Sequence, residues 1–140
     1  MKFWVEILIE SESEDGELAS RGVLQHDPFP SRFTVKQAIA WSAKKWLVIA
    51  DFHRDHPEVF SAVWNCGNFS CALCEKFDQE DTCERSGRRC PIFKHTGRDS
   101  CAYTPFGDYI NAQNQKDLRS HALSMYNLLN LIYQEEENKK

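Results

Sequence analysis

The chain has 140 residues, enough for one domain with a modest hydrophobic core and too few for two independent ones. Hydrophobic residues make up 41% and there are only 6 Gly and 5 Pro, which excludes disordered and fibrous classes. The net charge of −4 leaves no whole-protein positive field for nucleic acid or an anionic membrane, so any such contact has to be local.

The start MKFWVEILIESESED shows no apolar run followed by small residues, and WLVIADF is cut off by His53, Arg54 and Asp55. Neither a secretory signal nor a membrane span is therefore expected, and a cytoplasmic location is the expectation. In a reducing compartment, closely spaced thiols point to metal or redox chemistry before disulfides.

In chain order, residues 2–9 alternate, with Phe3, Val5, Ile7 and Ile9 opposite Trp4, Glu6, Leu8 and Glu10. That is the period of a half-buried strand. SESEDGE reads as an acidic turn around Gly16, and Leu18 to Leu24 as the antiparallel return strand of a hairpin. HDPFPSRF, with Pro28 and Pro30, is a connector. Thr34 and Gln37 form a capping box ahead of a helix from about Val35 to about Arg54, which Pro57 blocks. Ala38, Ile39, Ser42, Trp46, Ile49 and Ala50 mark its buried face; Lys36, Lys44 and Lys45 lie mostly off it, and Trp41 and Trp46 are core anchors. A second helix is expected from about Gln115 to about Glu136, on the stripe Leu118, Ala122, Met125, Leu129 and Ile132, widened by Leu128 and Leu131. Glu135, Glu136 and Glu137 oppose its dipole and should fray the last turn.

These elements define a small α+β single domain spanning residues 1–140. A hairpin and connector (1–33), a helix (34–57), a loop-rich cysteine module (64–106) and a C-terminal helix (114–137) follow one another. The module has little apolar periodicity and needs a staple.

All six cysteines lie there, in the spacing C-x4-C-x2-C-x8-C-x6-C-x10-C. Cys71 and Cys74, in CALC, can both reach one ion, and four of Cys71, Cys74, Cys83, Cys90 and Cys101 would complete a tetrahedral site, with Cys66 the spare. Zinc is preferred, because ferredoxin-type runs use two-residue gaps; the Cys90-Pro91 step keeps an iron–sulfur cluster as the alternative.

The stretches AIAWSAKKW, CALC, CPIFKHTG, Cys101 and TPF together resemble a family of small cysteine-rich phage and prophage proteins without an assigned function. The resemblance covers about residues 35–133 and marks Ser42, Lys45, Trp46, Cys71, Leu73, Cys74, Cys83, Cys90, Pro91, Thr96, Gly97, Cys101, Thr104, Pro105 and Phe106. It implies a shared fold and ligand. Here CERSGRRC opens the gap before the Cys-Pro step to six residues, where the family has two, and the N-terminal hairpin is an addition.

Arg85, Arg88, Arg89, Lys94 and Arg98 give residues 85–98 a local basic character with Phe93 and Tyr103 nearby, a pattern that suits phosphate contact and base stacking. The same charges can simply offset a zinc tetrathiolate, and the five acidic residues between Glu75 and Glu84 would weaken their field. His53, Asp55 and His56 suit either a hydrolytic metal site or a solvated helix end. No phosphate loop, nucleophile elbow or HExxH motif is present, so catalysis is not expected. The leading expectation is a zinc-stabilised interaction protein with a protein partner; a nucleic-acid-binding zinc module and an iron–sulfur or dithiol redox protein are the alternatives.

Overall fold

The computed structural model describes residues 4–14, 17–30, 32–57, 59, 62–63, 72–73, 104–112 and 114–138. Its elements, in chain order, are strands β1 (Val5–Glu14) and β2 (Glu17–His26) and helices α1 (Val35–Asp55), α2 (Pro105–Asn111) and α3 (Gln115–Asn138). A hairpin beside helices makes this a small α+β architecture. All six cysteines, and with them the expected metal ligands and the basic stretch Arg85 to Arg98, lie outside the described residues.

The strands pair antiparallel from Val5↔His26 to Glu14↔Glu17, five residues further along β1 than the alternation predicts. The Ser and Glu residues assigned to a turn belong to the ladder. The physical reason lies in the connection, because only Asp15 and Gly16 separate the strands, and a two-residue Asp-Gly link matches the twist of paired strands.

Helix α1 begins as its capping box requires. Thr34 Oγ1 accepts from the Gln37 N–H at 3.1 Å, and the Thr34 N–H donates to Gln37 Oε1 at 2.8 Å. Its expected apolar face is fully buried: Ala38, Ile39, Ser42, Trp46, Ile49 and Ala50 are all inside. Lys45, expected off that face, is buried as well, since it sits one position from Trp46 on a helix covered on more than one side. The aliphatic stem of a lysine makes that burial tolerable, and its ammonium lies 5.2 Å from the Trp46 ring centroid.

Helix α3 opens on Asn114, whose Oδ1 accepts from the Asp117 N–H at 2.9 Å. Leu118, Ala122, Met125, Leu129 and Ile132 are buried as the stripe predicts, and α1 and α3 pack against each other along their lengths. Leu131, expected to widen the stripe, is 53% exposed, because it falls a full 100° step beyond the contact face. The helix runs on to Asn138 despite its unfavourable charges, and Glu137 reaches Lys36 of α1 at 3.7 Å.

The connector is pinned by aromatic contacts. Phe29 stacks on Trp41 with centroids 5.8 Å apart, and Phe33 tilts against the same indole at 5.4 Å. The hairpin rests on α1 through Val5, Ile7 and Leu24, and there Gly22 permits a close approach. A Cβ on Gly22 would lie 2.8 Å from the Phe52 ring and 3.0 Å from the Ile7 methyl.

Candidate functional site

Helix α1 carries three buried polar side chains, Ser42, Lys45 and His53, in the same core as its apolar face. A helix interior tolerates such groups only where partners are built for them. The partner of His53 comes from α2, which begins in the last two residues of the 64–106 stretch and fills the interval before the C-terminal helix, where the sequence pattern predicts no helix. Thr104 precedes it in extended conformation and accepts from the Phe106 N–H at 3.3 Å, and Pro105 occupies its first turn. That is the ordinary start signal of a helix, and it was legible in Thr104-Pro105.

Helix α2 delivers Tyr109, which is fully buried, to the end of α1. The Tyr109 hydroxyl lies 2.7 Å from His53 Nε2 and accepts the backbone N–H of Val63 at 2.6 Å. One arrangement suits the three atoms in contact: Val63 donates to the hydroxyl, and the hydroxyl donates its proton to Nε2 of a neutral imidazole protonated at Nδ1. Burial holds His53 neutral, lowering its pKa from the ordinary 6.5 to about 4. Trp46 closes the site from the side, edge-on to Tyr109 at 5.2 Å and to Phe106 at 5.8 Å.

For His53 this differs from the expectation of a solvated helix end in the DFHRDHP stretch. His53 is not at a solvated helix end. Its 1% exposure continues the buried stripe of Ser42, Trp46 and Ile49 by one more turn, and α2, from more than fifty residues later, brings its polar partner. Asp55 is exposed and is held by Arg54 at 2.9 Å, which draws its carboxyl below the usual range. His56 lies over the Phe52 ring, with centroids 4.7 Å apart. Among the described residues no group of three or more His, Cys, Asp or Glu side chains converges as a metal site. Ser42, Lys45 and His53 are the buried polar side chains of α1.

The described parts of the chain around the cysteines all descend into this core. Val59 and Val63 are buried on the approach, Thr104 is buried on the exit, and Ala72 and Leu73, the two central residues of CALC, are 1% and 0% exposed in helical conformation. Leu73 was marked by the family resemblance, and its burial gives it a packing role. The expected ligands Cys71, Cys74, Cys83, Cys90 and Cys101, and the basic residues Arg85, Arg88, Arg89, Lys94 and Arg98, lie outside the described residues. No described helix is long and apolar enough to cross a membrane.

Neither a protein-family model, nor a curated protein, nor a solved structure matches the chain.

Proposed function

We propose that this chain is a small zinc-stabilised interaction protein of the cysteine-rich phage or prophage type, acting without catalysis. The observation that supports the reading most directly is the burial of Ala72 and Leu73 in one core with Trp46 and Leu118. Packing of the two middle residues of the CxxC anchors the short stretch between its cysteines. Thiolates at Cys71 and Cys74 are the pair from which a tetrahedral site would be built, completed from Cys83, Cys90 and Cys101. Metal binding would then supply folding free energy to a segment with little apolar surface of its own.

Elemental analysis of protein purified without a chelating column tests this. A colourless preparation holding one zinc per chain is the expected result. A brown preparation absorbing near 400 nm would replace zinc by an iron–sulfur cluster, and a metal-free, fully folded chain would overturn the reading. Salt-dependent, submicromolar binding to DNA or RNA, lost on Arg88→Ala/Arg89→Ala, would instead establish the nucleic-acid alternative.

A further inference from the structure

The described surface is uneven in one place. Its five exposed large hydrophobic residues are Trp4, Leu8, Ile9, Ile110 and Leu131, and three of them belong to the start of the hairpin. Trp4, Leu8 and Ile9 are 39%, 41% and 42% exposed, while Gly22, Val23 and Leu24 of the neighbouring strand are buried. On β1 itself Val5 and Ile7 pack against the core, whereas Leu8, Ile9 and Glu10 are exposed, so the ribbon is open along the middle of that strand.

β1 also has an edge that faces away from β2. Asp27 donates its N–H to the Trp4 carbonyl at 2.9 Å, which makes Trp4 and Asp27 a hydrogen-bonded pair in register with the ladder. Alternation in an antiparallel ladder then turns the N–H and C=O groups of Val5, Ile7 and Ile9 away from β2. Among the described residues no third strand takes up these groups. Such an edge is a template for another extended chain.

Charge decides which chain. Between Trp4 and Asp27 the sequence carries seven acidic side chains, Glu6, Glu10, Glu12, Glu14, Asp15, Glu17 and Asp27, against the one arginine Arg21. The whole protein is only −4, so the hairpin is more acidic than the molecule it belongs to. Arg21 meets Glu10 at 3.4 Å and offsets one of the seven. On the side of β1 that carries Leu8, the neighbours two positions away on either side are Glu6 and Glu10. A second copy of the chain is a poor occupant. Antiparallel self-pairing centred on Leu8 sets Glu6 opposite Glu10, and parallel self-pairing in register sets each glutamate opposite itself.

We infer that the outer edge of β1 docks an extended basic segment of a protein partner, in which Lys or Arg residues flank an apolar residue at alternate positions. The basic side chains meet Glu6 and Glu10, the apolar one covers Leu8, and the backbone pairs with Val5, Ile7 and Ile9. This rests on the interaction-protein reading and names the chemistry of the partner.

The probe is a labelled heptapeptide, Lys-Val-Lys-Val-Lys-Val-Lys, compared with Lys-Pro-Lys-Pro-Lys-Pro-Lys, which has equal charge and cannot pair as a strand. The full-length protein should bind the first at least about tenfold more tightly than the second. Amide exchange at Val5, Ile7 and Ile9 should slow in the complex, and Glu6→Lys/Glu10→Lys should abolish the preference. Leu8→Ser, which leaves every charge in place, should weaken binding as well, and circular dichroism checks that both variants fold. Equal affinity for the two peptides, or unchanged exchange at the three amides, overturns the proposal. So does a dimer that Leu8→Ser dissociates, which would assign the edge to a second copy. A chain that holds zinc but ignores the strand peptide defeats this surface alone; a metal-free chain that binds it defeats the zinc reading alone.

Discussion

His53 and Tyr109 meet at 2.7 Å across 56 residues of sequence, and the same tyrosine hydroxyl takes the Val63 N–H at 2.6 Å. One buried oxygen thus ties the end of α1, the start of the cysteine-bearing segment and the helix that follows it. Buried polar networks of this kind add specificity only while every member is satisfied.

Tyr109→Phe preserves ring volume and removes the shared oxygen, leaving the Val63 N–H and the imidazole without it. A loss of about 1–3 kcal/mol in unfolding free energy is expected, read by urea denaturation. Faster amide exchange at Val63 should accompany it. A variant as stable as the parent, with Val63 equally protected, would show that the hydroxyl contributes nothing.

Stability should fall in mild acid because of His53. In the unfolded chain the ring titrates near 6.5, whereas burial lowers its folded pKa to about 4. The unfolded state therefore takes up a proton that the native state refuses. The contribution of neutral His53 is complete above pH 6.5 and is lost as the pH falls toward 4, amounting to at most about 3 kcal/mol. Unfolding measured at pH 7.5 and 4.5 should show a smaller pH dependence in His53→Gln, which has no ring to protonate.

Gly22→Ala should destabilise the hairpin's seat on α1. The new Cβ meets the Phe52 ring at 2.8 Å and Ile7 at 3.0 Å, so the ring has to move or the strand has to lift. Overpacking of this size costs about 1–3 kcal/mol. Phe52→Leu in the same chain should recover part of the loss, and a double-mutant cycle measures the coupling.

Trp46→Ala should cost about 3–5 kcal/mol, the range for deleting a buried aromatic. The indole is 2% exposed and supports both Phe106 and Tyr109, so the damage should include α2. Thermal unfolding gives the magnitude, and exchange at the amides of residues 106–111 reports the local part.

Cys74→Ser and chelator treatment should act alike if a metal holds the cysteine segment. Amide protection at Ala72 and Leu73 should drop in both, with Cys66→Ser milder. Unchanged protection at Leu73 after either treatment would remove the argument for a metal staple.

Much of the architecture follows from local chemistry. The Thr34–Gln37 capping box, the apolar repeat after it and the Leu118 to Ile132 stripe specify two helices and their contact faces, because caps and periodicity act within a few residues. The hairpin follows from alternation, and its full length from the two-residue Asp-Gly link. Thr104-Pro105 announces α2 just as locally, although the surrounding cysteines drew the sequence reading toward a loop.

Tertiary structure alone decided what lies against each face. Lys45 carries polar chemistry that helix periodicity places at the margin of the buried face, and only the docking of other elements buries it; His53 lies on that face, and its polar partner comes from elsewhere. Burial and pKa depend on which distant segments exclude water, and Tyr109 reaches His53 from a helix whose position is encoded in long-range packing. The same is true of β1: alternation identifies a strand, but only the pairing register shows which of its backbone groups face away from β2. Local propensity is written residue by residue, whereas solvent exclusion is a property of the assembled chain.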